Sequence, residues 1–144
     1  FDLTTEFIEL AGKINQQMPY YCAERVQRAL NDLGRPVRGA RVVLFGVSYK
    51  AGIGDVRESP ALALARVLRE RGAELAYHDP YVPEVPELGL RAGALPDVLE
   101  GADAAVIVTA HPGIDWAAVA RAVPVLVDLR GAARDVDVER VVQL

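Results

Sequence analysis

The sequence RVVLFGVSYKAGIGDVRESP, residues 41–60, contains in succession a strand, a glycine-rich loop and the start of a helix. Its apolar run at 42–45 is continuous rather than alternating, which is typical of a strand buried on both faces of a parallel sheet. Ser59 and Pro60 form a helix start, because serine is a preferred N-cap and proline a preferred first helical residue. We therefore predict a strand over 41–47 and a helix that begins at Pro60.

Strand and helix signals continue to alternate towards the end of the chain. Further strands are predicted over 73–78, 104–109 and 123–129, and helices over 60–72, 95–101, 116–122 and 137–142. Residues 86–93 are compatible with an added edge strand. Because this order is the pattern of right-handed strand–helix–strand crossovers, the predicted fold class is α/β, with a doubly wound, mainly parallel, Rossmann-like sheet.

A long helix is predicted before the sheet. Apolar side chains recur at helical spacing through the first third of the chain, at Phe7, Leu10, Ala11, Ile14, Met18, Cys22, Val26 and Leu30. Pro19 predicts a kink or a break, because proline removes a backbone donor and clashes with the preceding turn. Gly34 and Pro36 end the helix. The chain is therefore divided into a helical segment, 1–34, and an α/β domain, 35–144.

Composition bounds the class of protein. The 144 residues, 51% hydrophobic and 25% charged, suffice for one globular domain with a core. A net charge of −4 argues against a nucleic-acid partner, and no apolar run approaches the roughly 18 residues of a membrane span. The single cysteine excludes an internal disulfide and fits a cytoplasmic location. Because the chain opens directly on a helical pattern without methionine, we expect it to be a fragment.

The loop 46–60 is the first candidate site, because ligands of open α/β sheets bind at the carboxyl ends of the strands. It is about twice the usual length and contains three glycines, Lys50 and Arg57 before a helix N-terminus. Backbone donors, a helix dipole and cations are what a phosphate group requires. The loop is therefore a candidate anion site.

The same loop lacks the two common nucleotide fingerprints. Gly52 and Gly54 are followed by Arg57 rather than by a third glycine, so the dinucleotide pattern is absent, and no Gly-Lys-Ser/Thr follows as in a P-loop. The alternative is a solvated loop whose cations pair with Asp55 and Glu58. Sequence reasoning on the residues alone leaves both open.

Two later loops add candidates. Arg130 follows the last predicted strand and could fork onto phosphate or ribose oxygens, although an ion pair with Asp128 or Asp135 is an equal alternative. Asp79 follows the second strand, where dinucleotide domains place a ribose-binding acid. Without the glycine fingerprint, a turn formed by Asp79 and Pro80 is the preferred interpretation.

The cysteine and the histidines give weaker signals. Cys22 lies on the apolar stripe away from any helix N-terminus, so a buried structural cysteine is expected rather than a nucleophile. His78 and His111 are the only histidines, and no cluster of cysteine, histidine and carboxylate surrounds them in sequence, so we expect no metal site. His111 could touch a ligand near Thr109, but a loop histidine with its hydrogen bonds satisfied is preferred.

The loop motifs resemble those of the C-terminal domain of the UDP-glucose/GDP-mannose dehydrogenase family. The matching segments, in family order and covering essentially the whole chain, are INQQMPY (14–20), GVSYK (46–50), DVRESP (55–60), YHDPYVP (77–83), GADAAVIVT (101–109) with His111, and VDLRG (127–131). Within the family, 18–20, 57–60 and 77–83 look most like the UDP-N-acetylglucosamine 6-dehydrogenase branch. The UDP-glucose, UDP-N-acetylmannosamine and GDP-mannose branches are the alternatives.

The resemblance implies a two-step oxidation. The C6 alcohol of the sugar becomes an aldehyde, then a thioester on a cysteine, and finally a carboxylate by hydrolysis, with two NAD reduced per turnover. In the family, the nucleophilic cysteine and the NAD fingerprint precede the part matched here, and Cys22 is too close to Lys50 to be that cysteine. The resemblance therefore implies no catalytic residue in this chain, and we expect the fragment alone to be inactive.

Site roles are carried over by position. Tyr49 and Lys50 would contact the UDP-sugar, Arg130 would hold it from the last loop, and Arg57 would reach NAD bound by the missing N-terminal domain. The segment 1–34 would be the end of a central dimerisation helix, and 35–144 the UDP-sugar-binding domain of a homodimer.

One departure from the family pattern is the pair Ala51 and Gly52, where many relatives have a charged or polar pair. It leaves the rigidity of the loop and the sugar preference open. Two other functions stay as alternatives: a stand-alone nucleotide-binding or regulatory module, and a structural protein whose helix drives dimerisation.

Overall fold

A computed structural model describes residues 2–56, 59–136 and 140–144. Its three helices are α1 Leu3–Asp32, α2 Pro60–Glu70 and α3 Trp116–Ala122. The strands are β1 Arg41–Phe45, β2 Glu74–His78, β3 Glu84–Val85, β4 Leu90–Arg91, β5 Ala104–Ile107, β6 Leu126–Asp128 and β7 Val141–Gln143. Short 3-10 turns lie at Pro86–Leu88 and Asp97–Leu99.

The main sheet has five strands in the order β2-β1-β5-β6-β7, and every neighbouring pair is parallel. The predicted α/β fold class is confirmed. The chain proceeds from β1 outward to β2 and then returns to place β5 on the other side of β1. The strand order therefore reverses between β1 and β5, and such a switch point is where open α/β sheets form a ligand crevice.

Both faces of the sheet are covered. On one face, alternate β1 residues such as Val42 and Leu44 pack against α1 and α2. On the other, Val43 and Phe45 pack against α3 and the turn at 97–99. Burial on both faces explains why the β1 sequence is continuously apolar.

Helix α1 runs without interruption through Pro19, so the predicted break is wrong. Proline removes only one backbone donor, and the helix carries 30 residues. Only its second half contributes buried residues, namely Ala23, Val26, Ala29 and Leu30. The apolar residues of the first half are exposed, including Phe7 and Ile14. No helix in the described part of the chain has the length and apolarity to cross a bilayer.

Three predicted elements differ from the structure. The closing helix predicted over 137–142 is wrong where it can be compared: residues 137–139 lie outside the described residues, and Val141–Gln143 form β7. Strand β7 pairs with β6, whose backbone donors and acceptors would otherwise be left open at the sheet edge. Residues 86–93 do not extend the main sheet, because β3 and β4 form a separate antiparallel pair. The helix predicted over 95–101 is reduced to a single 3-10 turn.

Candidate functional site

A cleft of about 840 Å³ opens at the carboxyl edge of the sheet, on the side covered by α1 and α2. Its volume is in the range of small-molecule sites. Residues of α1, of the first turns of α2 and of the loops after β1, β5 and β6 line it, among them Asn15, Cys22, Tyr49, Ser59, Arg66 and Arg130. Two of the three predicted substrate residues, Tyr49 and Arg130, therefore share one cleft.

Lys50 follows Tyr49 at the same edge. Its side chain is exposed, and Nζ lies 5.7 Å from the centre of the Tyr49 ring. Lys50 follows β1 and Arg130 follows β6, with β5 between these strands. Two strand spacings are about 10 Å. Side chains as long as lysine and arginine can approach one bound anion from both sides across that gap.

The sequence left open whether these cations form ion pairs with nearby acids, and the structure allows a comparison. Among the ion pairs formed by residues 2–56, 59–136 and 140–144, none joins Arg130 to Asp128 or Asp135, and none involves Lys50. Glu58 and Arg57, the latter predicted to contact the cofactor, lie outside the described residues.

The loop that carries Arg130 is organised by a buried carboxylate. Asp128 is 0% exposed, and its Oδ1 accepts hydrogen bonds from the backbone N–H groups of Arg130 and Ala132, both at 3.1 Å. Its Oδ2 accepts from the N–H of Ala133 at 2.8 Å. Three backbone donors satisfy the charge of this carboxylate, so Asp128 shapes the loop while the Arg130 side chain stays exposed.

A second buried carboxylate organises the loop that carries Lys50. Oδ2 of Asp79 accepts hydrogen bonds from the backbone N–H groups of Val47 at 2.8 Å and Ser48 at 3.3 Å, and lies 2.9 Å from His111 Nε2. Its Oδ1 accepts from the N–H of Tyr81 at 2.8 Å, as the predicted turn requires. Asp79 therefore closes its own turn and also fixes the β1 loop.

The imidazole of His111 completes this network. Its Nδ1 accepts a hydrogen bond from the backbone N–H of Gly52 at 2.9 Å, and its Nε2 lies 3.0 Å from Ser48 Oγ. Ser48 Oγ donates to the carbonyl oxygen of Lys50 at 2.8 Å. Because Nδ1 is an acceptor, the ring hydrogen lies on Nε2 and is shared between Asp79 and Ser48. The prediction of a hydrogen-bonded loop histidine is confirmed.

Ser48, Asp79 and His111 resemble a hydrolytic triad in residue type only. In a triad, the acid and the hydroxyl contact opposite nitrogens of the imidazole. Here both contact Nε2, and Nδ1 is taken by a backbone N–H. The side chains of Asp79 and His111 are also 0% exposed. This arrangement can hold a loop, and it cannot activate the serine.

Sequence reasoning assigned Asp79 to a turn and gave Ser48 no role, so it missed their part in this network. The signal that could have found them is positional. Ser48, Asp79 and His111 follow the parallel strands β1, β2 and β5, which end at the same sheet edge. Polar residues at those positions meet once the strand order is known.

Cys22 is half-buried rather than fully buried as predicted, and it lines the cleft while packing against the core. Burial raises the pKa of its thiol. A raised thiol pKa lowers the fraction of thiolate, which is the nucleophilic form. The expectation that Cys22 is structural agrees with this environment.

The fold and this edge define an open α/β ligand-binding domain with two exposed cations beside a cleft. Residues 43–135 match the UDP-glucose/GDP-mannose dehydrogenase family, UDP binding domain. The chain belongs to this family of oxidoreductases, so the resemblance of its motifs is confirmed.

Three relatives illustrate the match. The UDP-N-acetyl-D-mannosamine dehydrogenase of Pyrococcus horikoshii is 31% identical over 133 residues, which are 89% of this chain and 30% of that protein. The crystal structure of NDP-N-acetyl-D-galactosaminuronic acid dehydrogenase from Methanosarcina mazei Go1 has a TM-score of 0.81 at 25% identity, covering 94% of this chain and 30% of that one. A UDP-glucose dehydrogenase from Pyrobaculum islandicum has a TM-score of 0.62 at 32% identity, covering 81% and 27%. The chain thus spans about a third of the length of these relatives.

Proposed function

We propose that this chain binds the UDP part of a nucleotide sugar within an NAD-dependent nucleotide-sugar 6-dehydrogenase. The observation that carries the proposal is the pair of exposed cations, Lys50 and Arg130, in the loops after β1 and β6 at the carboxyl edge beside the cleft. Each would donate charge-assisted hydrogen bonds to the pyrophosphate. Tyr49 lines the same cleft and would contact the nucleotide or the sugar.

The residues of this chain do not fit a complete NAD site. An acid after the second strand of a dinucleotide domain binds a ribose hydroxyl. Here that acid, Asp79, is 3% exposed, and both its oxygens are engaged by Val47, Tyr81 and His111. The loop after β1 also lacks the third glycine of the fingerprint. We propose that another part of the full enzyme binds NAD, which accepts the hydride in such a reaction, and that Arg57 contacts NAD from this side.

For the substrate, we propose the class of nucleotide sugar rather than one particular sugar. The relatives named above act, by their names, on an N-acetylmannosamine, an N-acetylgalactosaminuronic acid and a glucose nucleotide. We favour a UDP-N-acetylhexosamine, and the UDP-N-acetylglucosamine branch stays a prediction. UDP-glucose and GDP-mannose are the alternatives.

The proposed domain division is a helical segment 1–34 for assembly and a UDP-sugar-binding domain 35–144. Leu3, Phe7, Leu10 and Ile14 on α1 follow each other at steps of four, three and four residues and are 50% to 64% exposed. Such a stripe fits against another helix. We propose a homodimer through this stripe and a cytoplasmic location. Light scattering on wild type and on the Phe7→Glu variant tests the homodimer, and we expect the variant to be monomeric. A monomeric wild-type chain would contradict the proposal.

A calorimetric titration of this chain with UDP, uridine and NAD tests the binding proposal. We expect UDP to bind, uridine to bind at least tenfold more weakly because it lacks the pyrophosphate, and NAD to bind more weakly than UDP. Raising the salt concentration should weaken UDP binding, because exposed charges are screened. Tight NAD binding without any heat from UDP would refute the proposal.

A stand-alone nucleotide-binding or regulatory module would give the same titration. The full-length gene separates the two functions. An upstream cysteine and an upstream Gly-x-Gly-x-x-Gly strand–turn–helix would support the enzyme, and oxidation of a UDP-sugar by the full-length protein would establish it. A purely structural protein, by contrast, would bind no UDP.

A further inference from the structure

We propose that His111 is a positioning residue that holds Lys50 in place for the nucleotide through the backbone of the β1 loop. This inference rests on the proposed function, because it explains how Lys50 is held at the place where UDP is proposed to bind. His111 itself is 2% exposed and lines neither the cleft nor the surface, so it acts through other residues.

The hydrogen bonds of the network fall on both sides of Lys50. Before it, Ser48 is held at three points. Its N–H donates to Asp79, its carbonyl oxygen accepts from Thr109 Oγ1 at 2.9 Å, and its side-chain hydroxyl donates to the carbonyl oxygen of Lys50. After it, the N–H of Gly52 donates to His111 Nδ1. The loop is therefore fixed at 48 and at 52, and the exposed side chains of Tyr49 and Lys50 project from between these points.

His111 is the member that joins the two sides. Its Nε2 contacts Asp79 and Ser48, which hold the beginning of the loop, and its Nδ1 holds Gly52 at the other end. The Tyr81 ring lies against it with 4.7 Å between ring centres, which restricts rotation of the imidazole. Among the hydrogen bonds of the described residues, the Gly52 N–H has His111 as its partner and no other.

The position in the fold makes this arrangement relevant to the ligand. The loops after β1 and β5 meet at the switch in strand order, and Gly46 and Thr109 are so close there that a Cβ on Gly46 would lie 2.2 Å from the Thr109 oxygen. A loop held rigidly before the ligand arrives loses less conformational entropy on binding. Preorganisation of Lys50 would therefore raise the affinity for UDP without any contact between His111 and UDP.

Two substitutions separate the two contacts of the imidazole. The amide nitrogen of glutamine reaches the place of Nε2, so His111→Gln keeps a donor for Asp79 and loses the acceptor for Gly52. The carbonyl oxygen of asparagine lies near the place of Nδ1, so His111→Asn keeps the acceptor and loses the donor. We expect His111→Gln to weaken UDP binding about tenfold and His111→Asn to weaken it about threefold or less. Melting temperatures measured in parallel should not follow this order.

A double-mutant cycle with Lys50→Ala tests whether His111 acts through that cation. Residues that act through one another give non-additive effects. In the Lys50→Ala background, His111→Gln should change the dissociation constant of UDP by less than about twofold. A full tenfold effect in that background, or losses of affinity that simply follow losses of stability, would overturn the inference.

A measurement on the unsubstituted protein covers the case in which a variant does not fold. The ¹⁵N spectrum of the imidazole should show Nε2 protonated and Nδ1 unprotonated, and the Gly52 amide should be protected from hydrogen exchange. The opposite tautomer, or an unprotected Gly52 amide, would overturn the inference. Failure of wild type to bind UDP would refute the proposed function as well, whereas UDP binding lowered by Lys50→Ala but unchanged by His111→Gln would refute this inference alone.

Discussion

Oδ1 of Asp128 accepts a hydrogen bond from the backbone N–H of Arg130 at 3.1 Å. The acid is completely buried, and the arginine two residues later is exposed. The carboxylate of Asp128 therefore holds the backbone of Arg130 and leaves the guanidinium group free of that contact. The same separation of roles occurs at the β1 loop, where buried Asp79 fixes the backbone before exposed Lys50.

Replacing Asp128 by asparagine should both destabilise the protein and weaken UDP binding. One carboxylate oxygen becomes an NH₂ group that faces backbone N–H donors, so at least one buried hydrogen bond is lost. We expect a loss of about 1–3 kcal/mol in the free energy of unfolding, measured by urea denaturation. The matched control is Asp97→Asn, at an exposed acid in the first turn of the 97–99 helix. Equal stability of the two variants would contradict the role of Asp128.

Removing either cation should lower the affinity for UDP. Charge-assisted hydrogen bonds contribute about 1.5–3 kcal/mol, so Lys50→Ala and Arg130→Ala should each weaken binding by about tenfold to a hundredfold in calorimetric titrations. Lys13→Ala is the matched control for the first, because Lys13 is exposed on α1 and is the only other lysine.

Arg121→Ala is the control for Arg130→Ala. Arg121 is exposed in the last turn of α3, which precedes β6 and so lies towards the opposite, amino edge of the sheet. Both control variants change the net charge by the same amount as the test variants. If they weaken UDP binding as much as the test variants do, the effect reflects overall charge and the proposed site is wrong.

Gly46→Ala should be far more destabilising than Gly39→Ala. Both glycines have a left-handed backbone, with φ of +84° and +81°, so both substitutions carry a similar conformational cost of about 1–2 kcal/mol. Only at Gly46 would the new Cβ also clash, at 2.2 Å, with the backbone oxygen of Thr109, whereas nothing lies within 4 Å at Gly39. We expect Gly46→Ala to cost at least about 2 kcal/mol more in urea unfolding. Similar costs would show that the switch point tolerates a wider separation.

Tyr77 should give the protein an alkaline limit. Burial, with smaller contributions from the charges of Asp79 and Glu84, raises the pKa of its phenol from 10.0 to about 12. The folded protein therefore holds this proton more tightly than the unfolded chain does. The corresponding stability is complete below pH 10 and is lost as the pH rises from about 10 to about 12, by about 2–3 kcal/mol.

The Tyr77→Phe variant isolates this effect. At pH 8 it should be less stable than wild type by about 1 kcal/mol, because the hydroxyl donates to the carbonyl oxygen of Val82 at 2.9 Å. Denaturation at pH 8 to 12 should then show the wild-type advantage disappear and reverse to a deficit of about 1–2 kcal/mol, since the variant has no phenol to ionise. A constant difference between the two proteins over this range would contradict the raised pKa.

Local signals explain what could be predicted of the fold. Helix α2 begins at Pro60 behind the Ser59 cap, and α3 covers 116–122, both as predicted. Helix caps, turn residues and apolar periodicity act within a few residues of sequence. They can therefore be recognised without knowing which elements pack against them. The prediction of a closing helix is wrong because the sequence around Val141 and Val142 contains no local signal that identifies a strand. Their pairing with β6 determines their conformation.

The candidate site divides in the same way. The position of the candidates Lys50 and Arg130 could be predicted, because cations that follow apolar strands lie at the carboxyl edge of any parallel sheet. Local signals alone could not predict the contact between Asp79 and His111. The two residues are 32 positions apart, and they meet only because β2 and β5 lie on either side of β1.

By itself, the amino-acid sequence determined the class of fold, the sheet edge at which we propose that the ligand binds, and the family to which the chain belongs. The tertiary structure alone decided which half of α1 is buried, where the last strand lies, and which buried groups hold the cationic loops. The physical reason is range: helix starts and strand burial depend on neighbours along the chain, whereas strand order and hydrogen bonds between loops depend on residues brought together by packing.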